Sequence, residues 1–477
     1  MYDVVIIGAG IIGSAVAQYL SRFDLDVLVL EACEEVSSAV SKANSGIIHA
    51  GFDAEPGSLK ANFNVLGNSM YDKISKDLDI PFIRNGSLVL CFLKEDMPRL
   101  QKLYDQGIKN GVPNLKILNK EEIKKLEPNV NPNVYKALYA PTGGIISPYE
   151  ATIAFAENAS SNGICFWLNC KALNITKEKD HYVIDTSKGL ISAKFIVNAA
   201  GLFSDEINNF ISEKKYSIYP RKGQYLLTDK SENIFIRKTL FQLPTERGKG
   251  VLVTPTVHGN LLVGPSAENI EDKTDFDTTF DILKRIVEVA SNSINFPISN
   301  VITSFSGLRS SIVNYDDFVV GKIDGENFIN ALGINSPGLS SAPAIAKYIS
   351  NIIADDLGAK ENKNFNPFRV SMKKFSELSL NEQNELISEN KAYGQIVCRC
   401  ETITEGEIIE AIKRPLGART IDGIKRRTRA GMGRCQGGFC TSRVMEIMCR
   451  ELNISPFDVT KFGKGSNLIV SHIKDEL

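Results

Sequence analysis

The spacing of apolar residues changes along the chain, and the changes mark its elements. "YDVVIIG" is an apolar run of strand length, broken by Gly8-Ala-Gly10-Ile-Ile-Gly13; a helical pattern then runs to about Phe23, and "DVLVLE" forms a second short strand ending on Glu31. This is one βαβ unit. Two later stretches also bring a β-rich run into a glycine turn, "FIVNAAGLFSDEI" near 195–207 and "FINALGINSPGLSSAPAIAKYISNII" near 328–353. The pattern predicts one parallel sheet visited three times, with strands such as "SLVLCFL", "GQYLLT" and "GNLLVG" forming an interleaved mixed subdomain. Beyond Ile353 the stretch "DDLGAKENKNFNPF" is polar and leaves the main domain, Ser379-Leu-Asn-Glu382 reads as a helix capping box, and a small domain starts near Gly394. The expected class is α/β with an α+β substrate subdomain: a main domain over 1–355, a linker and helix over 356–393, and a small, mainly helical domain over 394–477.

Length and charge narrow the function. At 477 residues the chain predicts about three domains or subdomains, and 55 Lys and Arg against 56 acids favour neither nucleic acid nor an anionic membrane as partner of the whole molecule. The uncharged run Val4–Leu20 could be mistaken for a signal peptide or a membrane span, but Asp3 precedes it instead of a cation and its glycines have cofactor-binding spacing. No other stretch approaches spanning length, so a cytoplasmic protein is expected, with peripheral association the one membrane contact left open. Lys474-Asp-Glu-Leu477 spells an ER-retention address, which is read only on secretory proteins and is taken as coincidence.

Two constellations carry chemistry. In a Rossmann-type unit Gly8 permits the tight turn, Gly10 lets the backbone approach a pyrophosphate, Gly13 lets the helix pack on the sheet, and Glu31 binds the adenosine ribose. Of nine cysteines, Cys33, Cys91, Cys165, Cys170 and Cys449 read as small buried thiols. Cys398, Cys400, Cys435 and Cys440 form two tight pairs, which in a cytosolic protein suggest metal before disulfide. The one-residue gap in Cys398-Arg-Cys400 is poor for structural zinc, whereas four thiolates in two short loops suit a [2Fe–2S] cluster, with Gly437 and Gly438 keeping the backbone clear of the sulfides.

The segments "SKANSGIIHAGFD", "GGIISPYEATIAFAENA", "RKGQY", "GKGVLVTPTVHGNLLVGPSAE", "SFSGLRS" and "NSPGLSSAPAIA" resemble, in order and character, the glycerol-3-phosphate oxidases and dehydrogenases of the D-amino-acid-oxidase-like flavoproteins. The resemblance spans about residues 1–355 and implies FAD, with Ser41, Asn44, Ser45 and Gly201 near the cofactor and the turn Ser336-Pro-Gly338-Leu339 over the flavin ring. Oxidising a secondary alcohol needs a base titrating near neutrality, and His49, one of four histidines, is the candidate; Arg309 and Lys249 would supply cations for a substrate phosphate or carboxylate. Related L-2-hydroxyglutarate and other hydroxy-acid enzymes share the "SGxIHAG" character, and Arg247 departs from the phosphate-oxidising pattern, so a 2-hydroxy acid or amino acid is the rival substrate class.

"IVCRCETITEGEIIEAI" with "RTRAGMGRCQGGFC" resembles the bacterioferritin-associated-ferredoxin-like [2Fe–2S] domain fused to some flavin dehydrogenases. Lys413, Arg414, Arg419, Lys425, Arg426, Arg427, Arg429 and Arg434 lie between the pairs, opposed mainly by Asp422, and read as cations that ease cluster reduction or dock an acidic electron-acceptor protein. The two sites and the resemblances together imply an FAD-dependent dehydrogenase oxidising sn-glycerol 3-phosphate to dihydroxyacetone phosphate, with hydride passing to the flavin and the electrons leaving singly through the cluster to a partner acceptor. A protein of another class, an electron-transfer or iron-handling subunit with a vestigial substrate cavity, is the alternative.

Overall fold

The computed structural model of the chain describes residues 1–230, 236–244 and 250–473. Five parallel strands run in the order Cys165–Trp167, Val27–Leu30, Tyr2–Ile7, Gly189–Asn198 and Phe328–Leu332. The three returns expected from the apolar pattern therefore lie side by side. Val4, Val5, Ile6, Val29 and Val197 are essentially inaccessible, because the helices Ile11–Leu20, Pro148–Ser161 and Gly338–Leu357 cover one face and Ile207 with the flanking antiparallel strands covers the other. A strand buried on both faces has no need to alternate. The first helix stops at Leu20, three residues short of Phe23 as expected from its sequence, since the Ser21 hydroxyl turns back to the Gln18 carbonyl and Phe23 bridges to Glu361.

The second sheet is mixed and contains Ser87–Cys91, Ile218–Thr228 and Leu261–Gly264, the strands expected of the substrate subdomain. Its longest pair is Ile218–Thr228 against Val301–Ile312, with Arg221 opposite Arg309 and Gly223 opposite Gly307. The two glycines make a notch. A Cβ at Gly307 would overlap the Ala43 carbonyl, and one at Gly223 would overlap the Arg309 guanidinium, so the loop after Ser41 and the Arg309 side chain both seat where side chains are missing.

The Ser379–Glu382 capping box forms as expected and opens the helix Leu380–Glu389. A hairpin, Ile396–Cys398 with Ile403–Thr404, then leads to the helices Glu405–Lys413, Ile421–Thr428 and Thr441–Leu452, packed around Ile408, Ile412, Ile424, Val444, Ile447 and Met448.

The basic run is not the open patch suggested by its local sequence. Glu35 holds Arg427 at 2.6 Å and Arg426 at 3.3 Å, Glu157 holds Arg414 at 2.8 Å, and Asp229 holds Arg434 at 2.6 Å. Arg429 bonds Glu401 at 2.8 Å, and Glu401 takes Lys230 of the substrate subdomain at 3.0 Å. The acids that neutralise the run thus come mostly from the preceding 230 residues, and Asp422 pairs instead with Lys461. The basic run is a seam fastening the small domain to both subdomains. Arg369, in the polar stretch after the long helix, also bonds Glu157, at 2.7 Å. The lone cysteines divide as well: Cys91 and Cys170 are buried, but Cys165 is exposed on its edge strand and Cys33 and Cys449 are half-buried.

Candidate functional site

The glycine turn has the form a pyrophosphate requires. Gly8 sits at φ +105° with a Cβ position blocked by Ala199, Gly13 lies against the Gly8 carbonyl, and beside Gly10 the nearest group is the Ser41 hydroxyl, at 3.1 Å from a Cβ built there. The first helix has no side-chain cap; Ser41 accepts from the Ile11 N–H at 2.8 Å. At the end of the second strand the Glu31 carboxylate accepts from the N–H groups of Ala9 and Cys33 at 2.8 and 2.9 Å, and burial pushes its carboxyl up. These residues fit the adenosine and pyrophosphate of a dinucleotide.

From this turn a cavity of about 1910 Å³ extends into the second sheet. It is larger than the ~300–1,000 Å³ of a typical small-ligand site. Gly10, Ser41, Asn44, Ser45, Gly201, Ser336, Gly338 and Leu339 line it together with His49 and Arg309. Asn44 shapes its own loop, donating to the Val40 and Ser41 carbonyls and accepting from the Gly46 N–H. Lys249 and Arg247 lie outside the described residues.

His49 is held by its backbone. Its N–H donates to Ser340 Oγ at 2.7 Å, and its carbonyl accepts the amides of Asn64 and Asn68, both at 2.9 Å. The ring therefore projects from a fixed point, with Nε2 3.4 Å from Ser336 Oγ and the Phe241 ring at 5.8 Å. Arg309 donates to the Ser266 carbonyl at 2.6 Å, and burial lowers its pKa, with the Arg221 charge lowering it further. Asn64, Asn68 and Arg221 went unread in the sequence. Two asparagines four residues apart on one helical face were the available signal for the first two.

At the other end the four cysteines of the two motifs converge. The sulfurs of Cys400 and Cys435 are 3.8 Å apart, while the neighbouring Cys440 thiol lowers the Cys398 pKa to about 6 against its burial. Among the described residues the thiols stand two by two, with no three ligands gathered for one ion. A dinuclear cluster takes two thiolates per iron; a structural zinc takes four ligands around one centre. Gly437 has φ +92°, which admits little but glycine, and the N–H groups of Phe439, Gly437 and Gly438 turn toward Cys435 and lower its pKa. Cys398 and Cys440 are buried, Cys400 is exposed, and Phe439 beside them is 89% exposed. Among the described residues no helix is long and apolar enough to cross a membrane.

Comparison with known proteins agrees with both halves. Residues 3–352 match the FAD dependent oxidoreductase family, and residues 396–450 match the BFD-like [2Fe-2S] binding domain. The chain is 50% identical over 480 aligned residues to a glycerol 3-phosphate dehydrogenase of Caloramator mitchellensis, with all of both chains covered. It is 33% identical to a glycerol 3-phosphate oxidase of Mycoplasma genitalium, over 76% of this chain and 97% of that one. The solved, FAD-bound L-alpha-glycerophosphate oxidase of Mycoplasma pneumoniae superposes with a TM-score of 0.74 at 30% identity, covering 78% of this chain and 99% of that one. With the dinucleotide cradle at one end and paired thiols at the other, the chain belongs to the FAD dependent oxidoreductases and carries a BFD-like [2Fe–2S] domain at its C-terminal end.

Proposed function

We propose that the protein is a dehydrogenase oxidising sn-glycerol 3-phosphate to dihydroxyacetone phosphate, with the electrons delivered through its iron–sulfur domain to a separate acceptor. The observation that carries this reading is the meeting of His49, Arg309 and the Ser336–Leu339 turn on one cavity that begins at the dinucleotide cradle. Bound FAD supplies a two-electron hydride acceptor and the cluster a one-electron carrier. The chain supplies the rest. Arg309 holds the substrate phosphate, with Lys249 assigned to the same role from sequence, and the secondary alcohol is thereby turned toward His49. His49 Nε2 takes the hydroxyl proton as the C2 hydrogen departs with its electron pair, the C–O bond becomes a carbonyl, and Ser336 steadies the imidazole.

The relatives named glycerol 3-phosphate dehydrogenase and oxidase support this choice of substrate. The test is anaerobic: glycerol 3-phosphate should bleach the flavin and then raise the reduced-cluster electron paramagnetic resonance signal. Preferential bleaching by 2-hydroxyglutarate or an amino acid would reassign the substrate, failure of all three would favour the non-catalytic alternative, and a bleached flavin with an oxidised cluster would remove the electron exit.

A further inference from the structure

The loop between Glu31 and Ser41 joins the two chain segments that form the dinucleotide cradle, and the small domain grips this loop at its middle. The carboxylate of Glu35, a residue 2% exposed, accepts five hydrogen bonds, all from that domain. They come from the N–H groups of Arg419 and Thr420 at 2.9 Å, the Thr420 hydroxyl at 2.8 Å, and the guanidiniums of Arg427 at 2.6 Å and Arg426 at 3.3 Å. Glu34 beside it accepts from Thr460 at 3.2 Å. The carboxylate lies so close to the start of the helix Ile421–Thr428 that a Cβ at Gly423 would overlap it. A buried ion pair contributes little net stability over an apolar contact, yet removing one partner strands the other, so such pairs serve best to fix register.

We propose that Glu35 is a positioning residue that couples FAD binding to the seating of the iron–sulfur domain: the five donors set the course of the loop, and with it Glu31 at one end and Ser41 at the other. Linkage makes the effect reciprocal. Whatever the seated domain adds to FAD affinity, bound FAD adds to the seating of the domain. The coupling is independent of which substrate is oxidised, since it involves only the adenosine end of the cofactor.

The test uses full-length protein with its cluster loaded and its flavin removed. FAD is titrated back while flavin fluorescence is followed, and protease cleavage within residues 359–378 reports whether the small domain is seated. Glu35→Gln removes the charge, Gly423→Ala displaces the carboxylate without altering any charge, and Arg414→Met opens the seam at Glu157, whose carboxylate bonds Arg369 and Arg414 and not Glu35 or its donors. Expected are at least tenfold weaker FAD binding in Glu35→Gln and Gly423→Ala, FAD affinity within twofold of the parent in Arg414→Met, and slowing of cleavage by FAD in the parent that is lost in Gly423→Ala. Should Glu35→Gln fail to fold, Gly423→Ala decides. FAD affinity within twofold of the parent in Gly423→Ala, or an equal loss in Arg414→Met, overturns the proposal.

Discussion

Replacing Arg309 by Met separates substrate binding from cofactor binding. Met keeps the apolar stem but removes the guanidinium, and two consequences follow from its surroundings. The Ser266 carbonyl loses its 2.6 Å donor, which costs about 1 kcal/mol of stability. The substrate anion loses a charged hydrogen-bond partner, worth about 1.5–3 kcal/mol, or roughly a ten- to hundredfold rise in Kd. FAD affinity should hold, because among the described residues Arg309 bonds only the Lys222 and Ser266 carbonyls and leaves the turn of Gly8 and Gly10 and the Glu31 carboxylate untouched. Anaerobic titration of flavin bleaching with glycerol 3-phosphate measures the effect, and neutral glycerol, which lacks the anion, should lose no affinity. Gly223→Ala gives an independent check, since its Cβ would drive against the same guanidinium and against Pro265 without deleting the charge. A glycerol 3-phosphate Kd within threefold of the parent in Arg309→Met would refute the assignment of the anion site.

His49→Asn should keep FAD while flavin reduction by substrate slows by about 10²–10⁴, the usual cost of losing a positioned base; single-turnover reduction checks it, and a near-normal rate removes His49 from the chemistry. Joint replacement of Cys435 and Cys440 by serine should abolish iron and sulfide content and the reduced-cluster signal while substrate still bleaches the flavin, and full acceptor turnover without the cluster would refute the electron exit. Burial alone would raise the carboxyl of Glu157, but Arg369 and Arg414 outweigh it and hold it below the ordinary 4.5; its ionisation therefore stabilises the docked domain above that value and is lost as pH falls through the depressed one. Urea unfolding should accordingly show acid destabilisation below about pH 4.5 that is reduced in Glu157→Gln, and a loss confined to pH 6–8 would contradict the sign.

The glycine turn, each apolar return to the sheet and each pair of cysteines is defined within about thirty residues by periodicity or spacing. The seam was not legible, because Glu35 and Arg427 are 392 residues apart and a reader of the basic run sees only Asp422 nearby. The same limit hid Asn64 and Asn68, whose service to the His49 carbonyl depends on how a helix packs against a two-residue strand. The apolar neighbours of Cys165 suggest a buried thiol, but it stands exposed on an edge strand of the sheet.

The seam also bears on the proposed docking of an acceptor at the cluster. Were the eight cations of the basic run open to solvent, they would steer anionic acceptors, and the rate would fall steeply as salt shortens the reach of charge to about 10 Å at 0.1 M. Instead Arg414, Arg426, Arg427 and Arg429 are buried or half-buried against carboxylates, Arg434 and Lys413 stay exposed but are paired with Asp229 and Glu451, and the face beside the exposed Cys400 carries the apolar Phe439. Reoxidation of the reduced cluster by ferricyanide, a trivalent anion, should therefore change less than about threefold between low salt and ~0.5 M, where screening is nearly complete. Stopped-flow absorbance of the cluster measures it. A tenfold or steeper fall would mean that the cations act on the acceptor despite their partners, and the docking role suggested by the basic run would stand against the seam.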